Sequence, residues 1–332
     1  MSLITDFYAV IQEWMMQNMV LPILYVLGGM GFADDAISGL DWFLLGVVQI
    51  LVIALVFRPL EKWWPAEVQE VGDRNSDRAG QIQKAQWVDV FYTLIHRLGI
   101  FKLGLFLLFS GLFFWFEAQL HDLGFNRLNI ENWLPGFTSI PWVSLFIYLL
   151  ILDFAEYLYH RASHRWAWWW QLHALHHSQT VMTVWSDNRN HLLDDLGHSA
   201  VFAAIALMIG VEPIQFLWLI AISQLIQSWQ HGNLNFDHGW FKYVLISPRF
   251  HRYHHAIGLG HEAPGKPGVL GGCNFGILFP WWDMMLGTAI FSKEIYPTGV
   301  RNLLVSNHVI IHQWQGAKHA LKELKNLLVK KA

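Results

Sequence analysis

The chain has little cysteine: its 332 residues hold one, Cys273. A single thiol excludes an internal disulfide framework and any Cys-rich zinc or iron–sulfur site, so metal binding must rest on nitrogen and oxygen ligands. Charge is scarce too, with Asp, Glu, Lys and Arg making up 14% of the residues. No Lys or Arg precedes Arg58, so the basic segment of a secretory leader is missing and no signal peptide is expected. The net charge of −3 comes without a basic stripe, which argues against a nucleic-acid partner. No internal repeat or low-complexity segment is visible.

What the chain has instead is apolar surface. Hydrophobic residues make up 54% of it, the mean hydropathy is +0.30, and long apolar runs stand between polar segments, the pattern of a multi-span membrane protein. The stretch 7–30 is interrupted by Gln17, Asn18 and Pro22, so it reads as a broken span or an interfacial helix. Trp42 to Phe57 reads as a span of minimal length. The loop 58–88 carries Arg58, Lys62, Arg74, Arg78 and Lys84, which assigns it to the cytoplasm by the positive-inside rule. Leu98 to Phe116 leaves that side and Ser139 to Leu152 returns, with the helical pattern continuing through Asp153, His160 and His164 beyond the lipid. Glu212-Pro213 divides 199–230 into two pieces of about a dozen residues, short of the roughly 20 needed to cross, so a helical hairpin fits better there than the alternative, a tilted pair of full crossings.

The expected fold is therefore all-α, an integral membrane helical bundle of about four or more spanning or re-entrant helices with a cytosolic histidine-rich helical cap. Residues 1–150 would form the N-terminal membrane region, 151–290 the catalytic domain, and 291–332 an amphipathic cytoplasmic tail with Lys318, Lys322, Lys325, Lys330 and Lys331.

Of the 18 histidines, eight fall in three clusters. These are His160 and His164; His173, His176 and His177; and His251, His254 and His255. Residues three and four apart share a helix face, so each cluster is expected to turn its imidazoles to one side. His191 and His231 are further candidates, whereas His96, His121, His308, His312 and His319 read as structural. Neutral imidazole suits iron, zinc, copper and nickel. The number of rings exceeds the needs of one catalytic zinc or a bis-histidine haem, and suits two metals with about four ligands apiece and positions open to a reactant. Trp166, Trp168, Trp169, Trp170, Trp281 and Trp282 flank the clusters and read as an interfacial belt.

The order HxxxH, HxxHH, HxxHH on a hydrophobic chain resembles the fatty acid hydroxylase/sterol desaturase superfamily of membrane di-iron oxygenases. Arg189-Asn190-His191, Gln230-His231-Gly232-Asn233-Leu234 and Asn274-Phe275-Gly276 extend the likeness. Trp282-Asp283-Met284-Met285-Leu286-Gly287-Thr288 is similar to that family's WDxxFGT signature. The likeness covers about 150–290. It implies two non-haem iron ions held by His160, His164, His173, His176, His177, His251, His254 and His255, with His191 and His231 as further ligands and Asn274 beside the centre as a possible donor to a ligand or bound water. It also implies O2 as co-substrate and hydroxylation of a lipid C–H bond, with desaturation as the neighbouring alternative. Asp153, Glu156, Asp187, Asp194 and Asp195 are available to orient the ligands. No cytochrome domain or flavin motif is present, so a separate electron donor (cytochrome b5-like, ferredoxin or reductase) is expected.

Two departures stand out: Leu192 follows His191 where the family commonly has proline, and a glycine-rich loop, Gly258 to Gly272, reads as solvated surface. A histidine-rich metal transporter is the competing reading of another class, disfavoured because the rings lie beyond Leu152 among Arg161, Arg165 and Arg252. A haem electron carrier is a third.

Overall fold

The computed structural model describes residues 2–67, 77–124, 140–211, 213–303 and 308–331. Helix α1 (Ser2–Met15) passes through a π-helical segment, Met16–Val20, into α2 (Leu21–Val26). The Gly28-Gly29 turn, with Gly28 at φ +69°, then ends this continuous run of α- and π-helical turns.

Helix α3 (Ala33–Val52) opens with Asp34 and Asp35 in its first turn, where carboxylates complement the helix dipole. It runs on through a π-helical segment, Ile53–Phe57, into α4 (Arg58–Trp63). The span expected at 42–57 is thus the middle of a 34-residue helical run, Met30–Trp63, long and apolar enough to cross a membrane. Helices α5 (Asp77–Arg97) and α6 (Ile100–Asp122) meet at Gly99. Its φ of +72° is a left-handed conformation that suits glycine, and it bends the pair by 50°. Gly46 lets α3 lie directly on the end of α5, since a Cβ there would overlap the carbonyl oxygen of Arg97.

Helix α7 (Pro141–Ser163) begins with Pro141 in its first turn, where the missing N–H costs nothing, and runs without a break from its apolar half to His160. After α8 (Ala167–His173) come α9 (Leu192–Ile209), stopped by Gly210 at φ +76°, and α10 (Pro213–Gln230). Each of these two has 18 residues. Helix α9 passes the length and hydropathy test for a crossing, so the bend lies where the sequence places it while the arms are longer than the apolar pieces alone. Glu212 itself is outside the described residues.

Among the described residues three helices are long and apolar enough to cross a membrane, or four if the bent α5–α6 pair is one span. The architecture is helical, as expected, with a β-hairpin of β1 (Glu262–Ala263) and β2 (Lys266–Leu270) as a small addition. Tyr148, Leu152, Phe202, Ala206, Val211 and Leu219 form a buried cluster where α7, α9 and α10 pack. Leu107, Leu108, Leu112 and Trp115 on α6 stay exposed, the outward face that lipid would cover.

Buried polar bonds tie this bundle to the cap. Arg97 Nη2 donates to Asp187 Oδ2 at 2.6 Å, and to Ser228 Oγ and the Gln224 carbonyl at 2.8 Å. Glu61 accepts from the backbone N–H groups of Val184 and Asn233 at 2.8 and 2.7 Å. Helix α11 (Pro248–His254) is capped by Ser247 Oγ. Helix α12 (Trp281–Leu286) ends on Gly287. The last helix, α13 (Val309–Lys331), packs along α8.

Candidate metal centre

Nine imidazoles converge among the described residues. His160 and His164 close α7, His173 ends α8, and His176 and His177 sit on a single 3-10 turn, His176–Ser178. His231 follows α10, and His251, His254 and His255 come from α11 and its C-cap. Donor atoms of His160, His164, His173 and His177 lie within 4.8 Å of one another; those of His176, His231, His251 and His255 form a second such group. His177, His254 and His255 make a third that joins the two. The first cluster, His160 and His164, keeps to one group, whereas the second and third divide between groups. Consecutive residues His176 and His177 turn to different groups, because the 3-10 turn rotates successive side chains about 120° apart.

The hydrogen bonds show what these rings are built to hold. The Nδ1 atoms of His160 and His254 lie 2.9 and 2.7 Å from the carbonyl oxygens of Phe275 and Cys273, which accept only from an N–H. Both Nε2 atoms therefore bear lone pairs, yet they face each other at 2.9 Å. His231 repeats the pattern: Nδ1 is directed to the Gln227 carbonyl at 2.8 Å, while Nε2 stands 3.1 Å from His176 Nε2 and 3.0 Å from His251 Nε2. Converging lone pairs repel unless a cation lies among them, so the donor set fits metal ions. Nitrogen is the only donor type in either group.

Burial holds the rings neutral, the state that binds metal. Desolvation, followed by neighbouring imidazoles, pushes His164, His176, His177, His251 and His255 well below the ordinary histidine value of 6.5. Desolvation and His160 do the same for His254.

His191, expected as a further ligand, lies outside the three imidazole groups. Its Nε2 donates to the Gln313 carbonyl at 2.7 Å and its Nδ1 accepts the N–H of Leu193, capping α9. With both nitrogens engaged, it stands outside the groups. Asn274, expected beside the centre, bonds through its amide to the main chain of Phe250 and Ile290. Held at φ +57°, it fixes the loop whose neighbouring carbonyls, Cys273 and Phe275, meet His254 and His160.

Of the five acids offered as orienting groups, Asp194 accepts from His173 at 3.0 Å and Asp187 Oδ1 stands 3.6 Å from His231 Nδ1. Asp153 instead receives the N–H groups of Leu278 and Phe279 and Trp282 Nε1. Glu156 pairs with His198 at 2.9 Å and Asp195 with His96 at 2.8 Å. Asp283 binds the N–H groups of Phe275 and Gly276 and the hydroxyl of Thr288, a structural role.

A cavity of about 700 Å³ extends from His160, His173, His176, His231 and His251 between the helices. Leu149, Leu152, Phe202, Phe216, Leu219 and Ile277 supply apolar wall. Sequence reading missed His198 on that wall; its signal was the position four residues after Asp194, on the same face of α9. The tryptophans also differ from a plain belt. Trp170 is buried on the rings of His164 and His261, and Trp169 Nε1 donates to Asp194 at 2.7 Å. His261, from the loop read as solvated, is 2% exposed, because the β-hairpin folds it against Trp170.

The fatty acid hydroxylase family model matches residues 145–288, a segment that contains all nine converging histidines. The chain is 31% identical over 140 residues to the ornithine lipid hydroxylase OlsE of Rhizobium tropici, which covers 42% of this chain and 40% of that protein. It is 28% identical over 197 residues to alkylglycerol monooxygenase of Caenorhabditis elegans (58% of this chain, 36% of the relative). Against that of Xenopus tropicalis it is 25% identical over 199 residues (58% and 41%). The match thus spans about two fifths of the length of these curated relatives. No solved structure matches. With the motifs and the imidazole groups in the same segment, residues 145–288 are similar to the fatty acid hydroxylase family.

Proposed function

We propose that the protein is an integral-membrane lipid hydroxylase that carries two iron ions in its paired imidazole groups and draws electrons from a separate donor protein. The observation that supports this most is the cavity: it opens on both groups and continues along apolar walls that suit an acyl or alkyl chain. The relatives' names, hydroxylase of an ornithine lipid and monooxygenase of alkylglycerols, agree with a lipid substrate. Iron bound there would supply O2 activation, placing one oxygen atom in a C–H bond and releasing the other as water with two electrons and two protons.

The chain's own residues do the rest. The neutral rings offer lone pairs from four separate segments, so the geometry is set before a metal arrives. Asp194 fixes the orientation of His173, and the Phe275 and Cys273 carbonyls fix those of His160 and His254. Apolar side chains around the cavity exclude water from the reacting carbon. The cap faces the cytoplasm, with the basic 58–88 loop on the same side.

The test is expression in a host lacking the protein, followed by lipid mass spectrometry. A one-oxygen mass gain in a lipid, absent with His176→Ala, supports the proposal. A two-hydrogen loss would redirect it to desaturation, and an unchanged lipidome with a metal-loaded protein would overturn it.

A further inference from the structure

The reading of the chain as a lipid hydroxylase leaves open which lipids it takes; one end of the cavity bears on that. Its carboxylates are mostly paired: Asp194 with His173, Asp195 with His96, Glu156 with His198 and Asp187 with Arg97. Asp153 is saturated by two backbone N–H groups and an indole. Two ionisable groups on the wall differ. Lys102, just past the bend on α6, has its ammonium 2.9 Å from the centre of the Trp42 ring and no carboxylate partner among the described residues. Asp41, next to Trp42 on α3, takes the Tyr8 hydroxyl and the Gln12 amide on Oδ1, both at 2.6 Å, and meets no cation among the described residues.

An ionisable side chain within membrane helices is costly and calls for a partner. The ring of Trp42 stabilises the ammonium by cation–π attraction but does not neutralise it. Here Lys102, Trp42 and Asp41 line one end of a cavity that continues to the histidines.

We propose that Asp41, Trp42 and Lys102 form a headgroup pocket for a zwitterionic lipid, one bearing an ammonium and a carboxylate or phosphate. The anion pairs with Lys102, the ammonium with Asp41, and the hydrocarbon chain runs along Leu149, Phe216 and Ile277 towards the metal groups. This inference rests on the lipid-hydroxylase reading for the substrate's role, but the binding it describes is measured without turnover.

The experiment titrates the purified full-length protein with isotope-labelled probes that share one dodecyl tail and carry a zwitterionic ethanolamine phosphate, an anionic phosphate or an uncharged glycerol. The wild type is expected to prefer the zwitterion over glycerol about tenfold or more, a difference of about 1.4 kcal/mol. Lys102→Met and Asp41→Asn should each abolish that preference, and Lys102→Arg should keep it. Lys102→Glu combined with Asp41→Lys should restore it by exchanging the two sites. Unfolding temperatures identify any variant that fails to fold, in which case Lys102→Arg and the exchanged pair decide.

Equal binding of zwitterion and glycerol by the wild type would overturn the pocket. So would a preference that survives both neutralising substitutions, or one for anionic phosphate that ignores Asp41→Asn. Intact zwitterion selectivity in a metal-loaded protein that makes no oxidised lipid would count against the hydroxylase reading and leave the pocket standing.

Discussion

His176 and His177 are joined by one peptide bond, yet their rings serve different imidazole groups: His176 faces His231 at 3.1 Å, and His177 faces His164 at 3.0 Å. The backbone at this turn thus sets the separation between the two groups. His177 also belongs to the joining set with His254 and His255.

Substituting the two should therefore have unequal effects. His176→Ala is expected to leave one tightly held metal per chain where the wild type holds two, as counted by elemental analysis of purified protein. His177→Ala, which takes a ring from the joining set as well, should weaken both sites. Equal and complete loss in both variants would contradict the division.

Asp194 tests how far ligand orientation matters. Asp194→Asn keeps the shape but loses the charge that holds His173 Nδ1–H. Metal affinity should drop about 10- to 100-fold, the range common for partners of metal-bound histidines. Because Tyr159 and Trp169 also bond to Asp194, Tyr159→Phe is the comparison: it should lower thermal stability with metal content unchanged.

His191→Asn separates a cap from a ligand. Asparagine can still cap α9 but cannot reach Gln313 in the same way. Two metals should remain bound, with a stability loss of about 1 kcal/mol. Loss of one metal would return His191 to the ligand set.

The metal-free protein should be sensitive to acid. His164, His176, His177, His251, His254 and His255 all have folded pKa values below 6.5. Below that value the unfolded chain binds more protons than the folded one, so stability is full at higher pH and falls as pH drops through 6.5. Each group contributes up to about 1.4 kcal/mol per pH unit within that window. Thermal unfolding in detergent at pH 7.5 and pH 5.5 checks the sign, and a higher midpoint at the lower pH would refute it.

Much of this centre is legible in the chain because ligand spacing is local. HxxxH at the end of α7 and HxxH within α11 place rings by helical geometry alone. Their assortment into two groups is not local, since it depends on the 3-10 turn at His176 and on where α10 delivers His231. His191 is ambiguous for a related reason: a histidine before an acidic first turn looks the same whether its ring binds metal or caps a helix, and its partner Gln313 is 122 residues away. The apolar runs located the bundle correctly, but hydropathy could not show that α3 continues through a π-helical segment into the polar Arg58–Trp63. Nor could it show that Gly258–Gly272 folds inward, because His261 is buried by a hairpin whose strands are too short to leave a clear alternation.

The contact between Gln313 and the segment 190–192 has a consequence for assembly. Besides receiving His191, Gln313 accepts the Leu192 N–H on Oε1 and donates to the Asn190 carbonyl and the Tyr92 hydroxyl. One glutamine thereby pins the approach to α9 and a residue of α5 at once. During synthesis every histidine of the centre leaves the ribosome before that pin exists, so a nascent chain that met a metal ion would offer all of these imidazoles with their frame still open. Tight loading then becomes a late event, coupled to the docking of α13.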